Sequence, residues 1–112
     1  MQPQGRVCED PVTHYVIVRR DLPLGMLAAQ VVHAAGESSP GSLPEHTYAV
    51  VLAAKSSVQL ADLSIDLTAA GIAHRCIYES DEPYCGQLLA VGVAPDLRSK
   101  LKGHFRRYQL LR

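Results

Sequence analysis

The stretch RRDLPLGMLAAQVVHAAGE, residues 19–37, narrows the possible folds more than any other part of this chain. It joins a basic strand end to a tight Asp-Leu-Pro turn and then to an amphipathic helix, with Pro23 suited to the first helical position. Leu24, Leu27, Ala28, Val31, Val32 and Ala35 recur at the spacing of one buried helical face. Met26, Gln30, His33 and Glu37 follow at steps of four, three and four, so they form a second stripe along the same helix. A helix entered directly from a strand in this way is the first half of a β-α-β unit.

The rest of the chain repeats that alternation. Residues 12–20 carry Tyr-Val-Ile-Val, an apolar run without polar interruption, the mark of a strand buried on both faces. Residues 38–46, SSPGSLPEH, form a loop. Residues 47–54 give a second strand. Ser56 or Ser57 can then cap a helix that runs to Ala70 and stops at Gly71. Residues 72–78 and 87–93 are strands separated by the acidic loop 79–86, a link too short for a parallel crossover and therefore suited to an antiparallel hairpin. Pro95-Asp96 opens a last helix with Leu97, Leu101 and Phe105 on one face, and the end of the chain is extended. The order β-α-β-α-β-β-α predicts an α/β domain, with a mixed, mostly parallel four-stranded sheet and helices on both faces. One domain is expected over 12–112, preceded by a loose arm at 1–11.

Charge is unevenly placed. The chain is neutral overall, yet all eleven acids precede residue 98, whereas residues 98–112 hold Arg98, Lys100, Lys102, Arg106, Arg107 and Arg112. Such asymmetry points to a polyanionic partner, and equally to a solvated terminal helix whose cations complement its dipole. No apolar run is long enough to span a bilayer, so no membrane role is expected. The start, MQPQGRVCEDP, lacks the layout of a secretory leader, and Cys8, Cys76 and Cys85 form no C-x-x-C pair. Reduced thiols in a cytoplasmic protein are expected. Two copies can pair through an exposed apolar strand edge or helix face, which leaves a homodimer open.

Most catalytic signatures are missing. The sequence has no phosphate-binding glycine loop after a strand, no G-x-S-x-G elbow, and no metal-ligand spacing among its five histidines, so neither cofactor nor metal is expected. His33 is the best titratable candidate, because a neutral imidazole both donates and accepts near pH 7. Gln30, one turn earlier, offers an amide. Glu79, Asp81 and Glu82 follow a strand's carboxyl end, where open α/β sheets gather their ligands. A surface histidine and an ordinary acidic loop account for the same residues.

The run RRDLPLGMLAAQVVHAA resembles the signature of the type II peptidyl-tRNA hydrolases, through Arg19, Asp21, Leu22, Gly25, Ala28, Ala29, Gln30, His33, Ala34 and Ala35. GIAHRCIYE and QLLAVGVAPDL are similar to that family's third strand and its final strand with the following Pro-Asp. Met26 stands where the family has lysine, Glu79 where it has the loop aspartate, and Gln87 where it has threonine, a pattern closer to the family's divergent members. The resemblance implies hydrolysis of the ester joining a peptide to tRNA by an activated water. Glu79 or Asp81 would serve as base or water-orienting group, His33 would position the water or the terminal ribose, and Gln30 would donate to the carbonyl oxygen. Arg19, Arg20, Arg98, Lys100, Lys102, Arg106 and Arg107 would hold tRNA phosphates. With Met26 in place of the lysine, a catalytically silent RNA- or protein-binding module on the same fold is the alternative.

Overall fold

The computed structural model describes residues 10–112. Strand β1, Val12–Arg19, leads into helix α1, Leu24–Ser38, and strand β2, Tyr48–Ala54, returns parallel to β1 with Val16 opposite Val51. Helix α2, Ser57–Ala69, then carries the chain to strand β3, His74–Tyr78, and strand β4, Leu88–Val93. Two short strands complete the sheet. Strand β5, Asp96–Leu97, pairs with the start of β1, and strand β6, Gln109–Leu110, pairs with β2. Between them lie helix α3, Arg98–Leu101, and a 3-10 turn, Lys102–Phe105.

The sheet is mixed, but it is six-stranded and mostly antiparallel, which corrects the expected four-stranded, mostly parallel layout. The order along its main path is β3-β4-β1-β2-β6. β1, β2 and β3 do run the same way. β4, however, turns back from β3 through a hairpin and slots between β3 and β1, so it is antiparallel to both neighbours. A central strand that reverses direction converts what would be one parallel contact into two antiparallel ones.

Helices cover both faces. Leu27 and Ala34 of α1 pack on Val16, Val18, Ile77, Leu89 and Ala90. Leu60, Leu63 and Leu67 of α2, joined by Leu101, Phe105 and Tyr108, pack on Tyr15, Ile17, Leu52, Val91 and Val93. The α1 stripe is rotated from its expected position. Leu27, Ala34 and Ser38 are its buried residues, whereas Leu24 and Val32 are 81% and 71% exposed. The cause lies in β4. A Cβ on Gly92 would fall on the Ala34 carbonyl and 2.6 Å from Ser38 Oγ, so the bare glycine is what lets the helix settle with this face down. Ser38 completes the contact by donating to Ala34 O at 2.7 Å and bonding buried His14 Nε2 at 2.8 Å.

The last helix begins later than Pro95-Asp96, because Asp96 and Leu97 are spent on β5 opposite Thr13 and Val12. Leu101 and Phe105 are buried as expected, but Leu97 is turned outward. Most of the arm predicted at 1–11 lies outside the described residues. Its last two residues are tied down: the Asp10 carboxylate accepts from the Ser99 backbone and hydroxyl, and Pro11 O accepts from Arg98 N–H. No helix among the described residues is long and apolar enough to cross a membrane.

Candidate functional site

Arg19 closes β1 and is buried, which is unusual for a guanidinium. Four hydrogen bonds from three of its nitrogens account for that position. Nε and Nη2 donate to the two oxygens of Asp21 at 3.0 and 2.7 Å, a bidentate pair, and Nη1 donates to Ser57 Oγ at 2.9 Å and to Gln87 Oε1 at 2.6 Å. The Tyr84 ring lies 5.6 Å from the guanidinium carbon. The Ser57 hydroxyl in turn donates to Leu88 O at 3.1 Å, so the first residue of α2 is fastened to β4 through this group. Three separate segments thus meet at one cation, at the carboxyl ends of β1 and β2.

The electrostatics are lopsided. Hydrogen bonding to Arg19 holds the Asp21 carboxyl below the usual carboxylate range, and the same bond raises the Arg19 pKa. Asp21 therefore stays ionised at neutral pH while half of its side chain faces water. An exposed carboxylate whose charge is locked on can orient a water molecule or accept from a hydroxyl. Its lowered pKa makes it a weak base.

Beside this hub stands the loop between β3 and β4. Its neck is closed by Glu79 N–H to Gln87 O at 3.0 Å and Gly86 N–H to Glu79 O at 2.7 Å. The Glu79 side chain turns back on the loop, where Oε1 accepts from the Ser80 and Asp81 amides at 2.8 and 3.3 Å. Asp81 is exposed. On α1, Met26 is partly buried in the α1-side cluster that also takes in Tyr84, and Gln30 is half-buried one turn further on. His33 is exposed, nine residues beyond Leu24 and so about 13 Å down the helix at 1.5 Å per residue. Among the described residues, no hydrogen bond or ion pair joins His33 or Gln30 to Glu79 or Asp81.

The basic residues divide into two groups. Arg98 and Lys102 border an apolar hollow with Thr13, Tyr15 and Phe105, at the amino end of β1. Lys100 is exposed and pairs with Asp96 at 2.9 Å, and Arg106 is exposed. Arg20 and Arg107 lie at the other end of the strands, with Lys55, around a hollow next to the hub. The two hollows nevertheless adjoin along β2 and β6, where Leu52 and Leu110 border the first and Ala53 and Gln109 the second, and Lys102 and Arg107 are separated by the 3-10 turn. Arg19 belongs to neither, since its donors point inward.

Sequence reasoning took Ser57 only as a possible helix cap and gave no role to Tyr84 or Lys55, and it read Asp21 as a match to a pattern and Gln87 as a departure from it. The one local signal was Asp21 itself, two residues after an arginine at a strand end. Among the described residues, no three His, Cys, Asp or Glu side chains come together as a metal site. No protein-family model matches the chain, and no curated protein matches it either.

Proposed function

We propose that this protein hydrolyses the ester bond of peptidyl-tRNA, or of N-blocked aminoacyl-tRNA, with a positioned water. The observation that carries the reading is the hub: Arg19, Asp21 and Gln87, drawn from the segments that resemble the type II hydrolases, share one hydrogen-bonded cluster on the sheet's carboxyl end. An ester needs only modest help, namely an oriented water, a base and a donor to the developing oxyanion. Asp21 orients the water. A loop carboxylate, Asp81 or the free oxygen of Glu79, takes its proton as oxygen attacks the carbonyl carbon. The proton then passes to the departing ribose oxygen, and the Gln30 amide steadies the carbonyl oxygen. His33 sits on the same helix, within reach of a substrate that lies along α1.

The test is release of N-acetyl amino acid from N-acetyl-aminoacyl-tRNA. Asp21→Asn is expected to lower kcat/KM by about 100-fold or more, with smaller losses for Asp81→Asn and Glu79→Gln. Melting curves for each variant separate loss of chemistry from loss of fold. Absence of turnover in the unmodified protein overturns the hydrolase reading.

One observation favours the alternative of a silent RNA-binding module. Met26 presents a thioether, without charge, where a family lysine would stand, and it packs into the apolar cluster. Tight tRNA binding with no turnover, and no gain of turnover in Met26→Lys, would establish that module.

A further inference from the structure

Arg20, Lys55 and Arg107 converge on a hollow of about 220 Å³ at the carboxyl ends of β1 and β2, completed by Ala53, Gln59 and Gln109. We propose that this hollow is a phosphate cradle for the backbone of a polynucleotide. The proposal takes the nature of the polyanion from the tRNA reading above, while the cradle itself stands on its own geometry.

Three cations around so small a space repel one another unless an anion joins them. Their existing partners do not neutralise them. Arg107 reaches Asp66 at 3.7 Å, but both side chains are mostly exposed and the contact is long, so the pair is weak and readily given up. Among the described residues, neither Arg20 nor Lys55 makes a side-chain hydrogen bond or ion pair. This contrasts with Arg19, one residue before Arg20, whose guanidinium is occupied by protein acceptors.

The neutral groups add donors. Gln59 Oε1 already accepts from Lys55 N–H at 2.7 Å, which leaves the amide's N–H groups as its remaining polar capacity. Gln109, on the edge strand, brings a second amide to the lining. Arginine and lysine heads with amide N–H groups form the donor set that phosphate oxygens use, and it carries no preference for base sequence. Position also fits. Arg19 and Arg20 are consecutive, about 3.8 Å apart at Cα, so a phosphate in the hollow lies beside the hub and holds the adjoining sugar near Asp21. The basic tail contributes Arg107 to this cradle, while Arg98 and Lys102 border the neighbouring apolar hollow instead.

The experiment is a salt series of deacylated tRNA binding. Lys55→Gln and Arg20→Gln should each weaken binding several-fold at low salt and make the slope of log K against log salt shallower by about 0.7–0.9, one phosphate contact apiece. The double variant should lose more than either. Arg75→Gln, the same loss of charge on β3, should leave the slope unchanged. Slopes equal to the parent in the cradle variants overturn the proposal. Titration with inorganic phosphate is a second arm: phosphate binding lost in Lys55→Gln, with tRNA affinity unaltered, makes the hollow a free-anion site and overturns the polynucleotide assignment. A third arm compares N-acetyl-aminoacyl-tRNA with the same ester on adenosine alone. The cradle variants should raise KM only for the tRNA substrate. If neither ester is turned over yet Lys55→Gln still weakens tRNA binding, the cradle stands and the hydrolase reading falls.

Discussion

β1 buries a polar side chain near each of its ends, and the two are handled in opposite ways. Near its start, His14 bonds Ser38, which in turn donates to Ala34 O, so the ring is sealed under α1 against the close approach at Gly92. At its end, Arg19 is just as buried, but its counter-ion is half in water. The first arrangement turns inward, with the Ser38 hydroxyl shared between the His14 ring and the Ala34 carbonyl. The second holds a permanent charge at the surface through a concealed one. A buried polar residue suggests a site when its partner is accessible, and suggests a clamp when it is not.

Three changes would break or sharpen that contrast. The largest effect is expected from Gly92→Val, which places carbon on the Ala34 carbonyl and should cost about 3 kcal/mol or more, read from the midpoint of a urea melt. Stability equal to the parent would show that α1 does not rest on this strand. Arg19→Met should cost less, about 1–3 kcal/mol, because the abandoned Asp21 can rehydrate while Ser57 and Gln87 lose a donor. Its diagnostic is titration of Asp21 by NMR, with the carboxyl expected to move up toward its ordinary range.

The smallest effect is in pH. Burial lowers the His14 pKa below 6.5, so the unfolded chain takes up this proton first. The stabilisation is complete above about 6.5 and is lost as pH falls through the folded value. Asp21, also lowered, loses its contribution only in a later window, below about 3.8. Melting temperature should therefore decline in two separate steps on acidification, and His14→Asn should erase the first alone.

Much of the fold was legible in the residues. Uninterrupted apolar runs marked β1, β2 and β4, and the serine that caps α2 is Ser56, whose hydroxyl accepts from Gln59 N–H. Sheet direction was not legible, because it depends on where β4 lands after its hairpin, and no local pattern encodes that choice. The face of α1 was misread for a related reason. Leu24 and Val32 look like core by spacing, but the depth of contact is decided by a glycine far along the chain. Arg19 and Asp21 could be found from their short separation, whereas Ser57 and Gln87 are 38 and 68 residues from Arg19 and meet it only through topology. The basic tail, continuous on paper, is divided between two neighbouring hollows by the turn at Lys102–Phe105.

The hydroxyl of Ser57 has one more implication. It is two positions along the chain from Lys55 and is shared between a guanidinium and a strand carbonyl. Any molecule gripping the lysine would tug the same short stretch of backbone that steadies the arginine. Grasping a ligand's phosphate and aligning its reactive end would then be one mechanical event.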